Sequence, residues 1–197
     1  VSFIPLFENN GLIADIDLFV CEEVCKLLRS WLDAGKKPEP ISINLSRVNL
    51  HNDAFMKQLL ELTYQYNIPP ELLEFEITES VFMENTVREL KKQGFTFSID
   101  DFGSGYSSLH CIKSLPVDVL KLDKSFFGLG QMACRETVLL SNIVRMAKEL
   151  DMRVLCEGVE NQEQLDFLSS IGCDLAQGYL FNRPMPVQNF SQILFEN

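Results

Sequence analysis

The sequence predicts an α/β chain of repeated strand–helix units, the plan of a (β/α)8 TIM-like barrel of which about six of the eight units are present. Three observations carry this. Short runs rich in β-branched and aromatic residues alternate with amphipathic helical patterns, and that alternation implies parallel strands joined by crossovers. A polar residue interrupts each apolar run near its end: Asn44, Glu76, Asp100, Lys121, Glu157 and Gln177. Asn44 and Gln177 stand 133 residues apart, so the five intervals average about 27, the length of one βα unit. A doubly wound sheet gathers its polar groups at one switch point. A polar group at the end of every strand is instead the pattern of a barrel, whose active site is assembled from the C-terminal strand ends.

The expected strands are ISINLS (41–46), LLEFEITE (72–79), FTFSIDD (95–101), VDVLKLD (117–123), RVLCEGVE (153–160) and LAQGYLF (175–181). Between them lie helices. The first spans DIDLFVCEEVCKLLRSWLDAG, with Phe19, Val20, Val24, Leu27, Leu28, Trp31 and Leu32 at helical spacing and a stop at Gly35. A second begins at Asp53 as N-cap and ends before Pro69 and Pro70. A third runs from Asn85 to Gly94, a fourth covers RETVLLSNIVRMAKEL, and a fifth starts on an Asn161 cap and stops at Gly172. Six strands fall two short of a closed barrel, and 197 residues fall about 50 short of the roughly 250 typical of one.

Composition narrows the chemistry. The chain is 46% hydrophobic, enough for one globular domain with a sizeable core, and no run approaches the roughly 18 apolar residues of a membrane span. A net charge of -11 argues against a polymeric nucleic-acid partner. It is compatible with a small anionic ligand held through metal ions. The six cysteines form no CxxC pair and read as reduced, buried thiols of a cytoplasmic protein. The two histidines, His51 and His110, lie outside zinc-ligand spacing.

The adjacent acids Asp100 and Asp101 end an apolar strand and run into the glycine- and serine-rich GSGYSS. Neighbouring carboxylates repel unless a positive charge lies beside them. Together with Asn44, Glu76 and Glu157 they form an all-oxygen ligand set, which suits Mg2+ or Mn2+. Four carboxylates exceed the charge of one divalent ion, so two ions are expected, with Asp100 as the bridge. Glu79 has two readings, an exposed strand end or an anchor for the glycine-rich loop. Asp123, two residues beyond Lys121, either binds ligand or anchors Lys121.

SINLS, EFEITES, IDDFGSGYSSL, LPVDVLKLDKSF, CEGVE and GYLFNRPMP together resemble the EAL-domain family of cyclic-di-GMP phosphodiesterases, from Phe3 to about Phe190. The resemblance implies an eight-stranded barrel that opens one phosphodiester of cyclic di-GMP to give linear pGpG. It implies metal ligation by Asn44, Glu76, Asp100, Asp101 and Glu157, catalysis by Glu157 and by Lys121, which orients the attacking water, and substrate binding by Gln177 at the active-site face. It further implies that Glu79 anchors the loop and that IDDFGSGYSS couples metal binding to homodimer formation. An alternative on the same barrel is a non-catalytic cyclic-di-GMP receptor or protein-interaction module. An enolase-like barrel is a third reading, which the Asp100–Asp101 pair counts against.

The Glu-Ala-Leu for which the family is named, and whose glutamate ligates metal, does not occur here. The expectation is therefore an N-terminally truncated domain over 1–197, lacking its first two strands and drawn from a parent with other domains. Such a fragment should be nearly inactive, and its two open strand edges should draw it into association. Purifying residues 1–197 beside an N-terminally longer chain checks this. A monomeric fragment that forms pGpG at the longer chain's rate would refute it.

Overall fold

The computed structural model describes residues 4–78, 84–103, 112–113, 116–127 and 134–196. The helices are α1 (Ile4–Asn10), α2 (Leu12–Asp33), α3 (Arg47–Leu50), α4 (Asp53–Gln65), α5 (Glu84–Lys92), α6 (Cys134–Glu149), α7 (Gln162–Ser170) and α8 (Val187–Glu196). The strands are β1 (Ile41–Asn44), β2 (Leu73–Thr78), β3 (Thr96–Phe102), β4 (Val119–Leu122), β5 (Arg153–Cys156) and β6 (Leu175–Ala176). Two units divide the chain, Val1–Leu120 and Lys121–Asn197.

In the first unit the strand order is β1-β2-β3, all parallel, and β4 starts beside β3 with the Asp118 amide on the Phe97 carbonyl at 2.8 Å. Pairing aligns Asn44 with Glu76, Glu76 with Ser98, and Thr78 with Asp100. Because side chains alternate along a strand, one face carries Ser42, Asn44, Glu74, Glu76, Thr78, Thr96, Ser98 and Asp100. The other carries Ile43, Phe75, Ile77, Phe97 and Ile99, all buried. The Phe75 ring sits 5.7 Å from Phe97 and 5.4 Å from Phe95. Burying one such ring stabilises by about 2–3 kcal/mol. This apolar side, with Leu28 of α2 and Phe55 and Leu59 of α4, forms the core of the unit.

Helix α2 departs from its expected stripe. Leu28 and Trp31 are buried as expected, but Phe19 and Val20 are exposed, and the rest of the buried line is Ile13, Asp17, Cys21 and Cys25. An acid replaces an apolar residue there because Asp17 Oδ2 accepts from the Ser46 amide at 2.9 Å and from Asn49 Nδ2 at 2.7 Å. Burial raises the Asp17 carboxyl above its ordinary range; the bonds from Ser46 and Asn49 pull it down, and Glu8 adds to the rise. The N-cap of α4 is Asn52, whose side chain accepts from Ala54 and Phe55 amides, rather than the expected Asp53. Asp53 becomes the first helical residue, where its charge favours the helix N-terminus.

The second unit contains the order β4-β5-β6, with β5 and β6 parallel. The expected cap and stop of α7 are present: Asn161 forms a reciprocal capping box with Gln164, and Gly172 follows at φ +77. The last strand is much shorter than expected. Only Leu175 and Ala176 pair with β5, and the chain turns away at Gly178. Strand β5 also stops early, at Cys156, ahead of Gly158 in the left-handed region at φ +69. Cys21, Cys25 and Cys156 are buried free thiols and Cys173 is half-buried; burial is the main force raising Cys173, and it pushes Cys156 upward too. Cys111 lies outside the described residues. Among the described residues no helix is long and apolar enough to cross a membrane.

One device occurs in both units. Asp118, just before β4, accepts from the Phe97 amide at 3.0 Å and from Lys91 of α5. Asp174, just before β6, accepts from the Val154 amide at 2.9 Å and pairs with Lys148 of α6 at 3.1 Å. Each acid ties the start of the preceding strand to the helix before it. Asp118→Ala and Asp174→Ala should each destabilise the domain by about 1–2 kcal/mol, because each leaves a strand amide without its acceptor. Urea unfolding checks this, and loss of less than about 0.5 kcal/mol would show the clamps to be dispensable.

Candidate active site

In the first unit the strand ends bring acids to one face. Asn44 is the last residue of β1, and Glu76, 7% exposed, is its register partner on β2. Asp100 lies one pair further along, opposite Thr78. Regular alternation would send Asp101 to the opposite face. It does not, because Asp101 has φ +53 and lies in the left-handed region that a residue other than glycine rarely enters. The twist leaves a carboxylate oxygen of Asp100 and one of Asp101 within 4.8 Å of each other. Two like charges are thus gathered at the end of an apolar strand, at a cost in backbone strain of order 1–3 kcal/mol.

In the second unit Lys121 is 4% exposed on β4. Its ammonium meets Glu157 Oε1 at 2.8 Å. Glu157 stands one residue past β5, and its amide donates to the Leu122 carbonyl at 2.9 Å, so backbone and side chain both hold it beside β4. Asp123 follows β4 and accepts from the Ser125 amide at 2.8 Å, capping the 3-10 turn Lys124–Phe127. Burial is the largest single influence and would raise its carboxyl, but the bonds from Ser125, with the amide and charge of Lys124, together hold the group below the usual range. Gln177, exposed, stands one residue past β6; its amide donates to the Cys156 carbonyl at 2.9 Å and its carbonyl accepts from the Val159 amide at 3.0 Å. Just beyond it, the Arg183 guanidinium lies 4.5 Å from the centre of the Tyr179 ring. Glu79 and the loop residues Ser104–Leu109 lie outside the described residues.

One acid escaped the sequence reading. Glu74 is 7% exposed, two residues before Glu76 on the same face, and accepts from Ser42 Oγ at 3.0 Å. The alternate spacing of EFE is the signal that marks it.

A lysine this deeply buried depends on its carboxylate. In EDTA, Glu157→Gln should destabilise by about 2 kcal/mol, since it removes the carboxylate that lies 2.8 Å from a desolvated ammonium. Lys121→Met with Glu157→Gln should cost less than Glu157→Gln alone, because the desolvated ammonium is then gone as well. Denaturant unfolding of the double-mutant cycle measures this; simple additivity would show the two groups to be uncoupled.

Known proteins match this chain in sequence and in fold. The EAL domain family matches residues 1–184. The chain is 37% identical over 201 residues to the signaling protein YkoW of Bacillus subtilis, covering 99% of this chain and 25% of that protein. It is 36% identical to the cyclic di-GMP phosphodiesterase NbdA of Pseudomonas aeruginosa over 98% of this chain and 25% of that one. The chain therefore spans about a quarter of the length of these curated relatives. Among solved structures, the PaMucR phosphodiesterase in complex with c-di-GMP superposes with a TM-score of 0.87 at 34% identity, covering 96% of this chain and 79% of that one. With six βα-type strands, polar strand ends and this match over nearly its whole length, the chain belongs to the EAL domain family.

Proposed function

We propose that this chain is the catalytic part of a metal-dependent cyclic-di-GMP phosphodiesterase, which hydrolyses one phosphodiester bond to give linear pGpG. The observation that carries the reading is the left-handed turn at Asp101, which sets its carboxylate within 4.8 Å of that of Asp100. Strain and charge repulsion are both borne at this point, and a cation relieves the second. The donor chemistry fits Mg2+ or Mn2+: every candidate ligand is an amide or carboxylate oxygen. Asn44, Glu76, Asp100, Asp101 and Glu157 would hold the metal, as two ions. When bound, the ions supply electrophilic activation at the phosphate. The relatives support the substrate, since NbdA is named a cyclic di-GMP phosphodiesterase and the PaMucR phosphodiesterase is solved as a c-di-GMP complex.

The remaining roles fall to this chain's own groups. Lys121, shielded from solvent and fixed by Glu157, orients the attacking water. The water oxygen bonds to phosphorus, the bond from phosphorus to the ribose oxygen breaks, and the departing oxygen takes up a proton. Gln177 and Asp123 contact substrate at the strand ends of the second unit. Glu79 anchors the glycine-rich loop, through which metal binding favours a homodimer. The domain works in the cytoplasm as one part of a larger signalling protein.

The test is purification of an N-terminally extended chain and assay of pGpG formation. Turnover is expected with Mg2+ or Mn2+, none in EDTA, and inhibition by Ca2+, whose longer and looser bonds fit in-line transfer poorly. Asp100→Asn should lower kcat at least about 10²-fold. Turnover that persists in EDTA would overturn the metal assignment. Tight binding of cyclic di-GMP without turnover would favour a receptor.

A further inference from the structure

Gly178 has no φ in the left-handed region, so the backbone there does not require glycine. Space does. A Cβ built on Gly178 would lie 2.1 Å from the carbonyl oxygen of Val159, 2.3 Å from its nitrogen and 2.7 Å from its carbonyl carbon. These are backbone atoms, which cannot swing aside as a side-chain tip can. The close approach is bracketed by two hydrogen bonds, from the Val159 amide to the Gln177 carbonyl and from the Leu180 amide to the Val159 carbonyl, both at 3.0 Å. Val159 is two residues past Glu157. Between them Gly158 turns at φ +69, and a Cβ on it would meet Lys124 Cβ at 2.3 Å. The stretch from Glu157 to Val159 is therefore pinned at both ends: by the Glu157 amide on the Leu122 carbonyl, and by Val159 against Gly178. What that pinning delivers is the 2.8 Å contact of Glu157 with Lys121.

We infer that Gly178 is a positioning residue for Glu157: its missing side chain lets the end of β6 seat the Val159 backbone, and so holds the Glu157 carboxylate on the Lys121 ammonium. Any side chain at 178 pushes Val159 outward and carries Glu157 with it. The inference deepens the proposed function, because it names what sets the geometry of two groups of that site. Its physical core, the Lys121–Glu157 contact, does not require the reaction.

The test is made in the full-length protein, with Gly178→Ala beside Gly172→Ala. Gly172 closes α7 at φ +77, so its substitution strains the fold away from Glu157. In EDTA, the Lys121→Met/Glu157→Gln cycle read by unfolding should show coupling in the wild-type and Gly172→Ala backgrounds and lose most of it with Gly178→Ala. Calorimetry with Mn2+ alone should show weaker binding by Gly178→Ala, about 10-fold or more, as displaced supporting groups of metal ligands typically do. For cyclic di-GMP, kcat should fall by about 10-fold or more with KM changed far less. If Gly178→Ala does not fold, Leu180→Pro, which deletes the donor to the Val159 carbonyl and sets its ring Cδ toward that oxygen, is carried through the same cycle with the same expectation. Coupling retained in the position 178 and 180 variants overturns the inference. A wild-type protein that shows the coupling but neither binds Mn2+ nor turns over leaves the inference standing and overturns the proposed function.

Discussion

A buried ammonium sets the terms for the second unit. Lys121 is nearly sealed from water, and an unpaired charge in that position would cost several kcal/mol. Glu157 supplies the counter-charge at 2.8 Å. The carboxylate cannot reach from a strand end that is free to move, so the chain around it is fastened by backbone bonds to β4 on one side and to the end of β6 on the other. β5 and β6 run for four and two residues, and beyond them the Glu157 amide still bonds to Leu122 and the Val159 amide to Gln177.

The first unit solves a related problem with strand register. Parallel pairing stacks Asn44, Glu76 and Ser98 across three strands, with Asp100 one step along. As far as Asp100, the polar residues of β1, β2 and β3 fall on one face and the large apolar residues on the other, so the core and the candidate site are two sides of the same sheet. Mutating the apolar side to improve packing would be felt on the polar side through the shared backbone. Asp101 is the exception to the alternation, and its strained φ marks where the strand stops serving the core and starts serving chemistry.

Much of this was legible in the sequence, and the misses have identifiable causes. The periodicity of α2, the cap of α7 and the polar residue near each strand end are local signals, and all were read from residues within one turn or one strand. The exposed Phe19 and buried Asp17 were not legible, because Asp17 is drawn inward by Ser46 and Asn49, about thirty residues away. Asn52 and Asp53 are both good caps, and only the backbone decides between them. Likewise the run LAQGYLF has strand propensity throughout, but the crowding at Gly178 comes from Val159 on another element. Asp100 and Asp101 were legible as a pair; the twist that brings them together was not, since a single φ leaves no mark in composition.

The matching clamps of Asp118 and Asp174 bear on how the chain reaches this structure. The bonds they make to Phe97 and Val154 close segments of 21 and 20 residues. Loops of that length are inexpensive to close, because the entropic cost grows only logarithmically with length. Each strand is thereby tied to its successor in sequence before any distant partner is needed. Low sequence separation between contacts favours fast assembly, and a chain laid down in this way can add one strand–helix unit at a time as it leaves the ribosome.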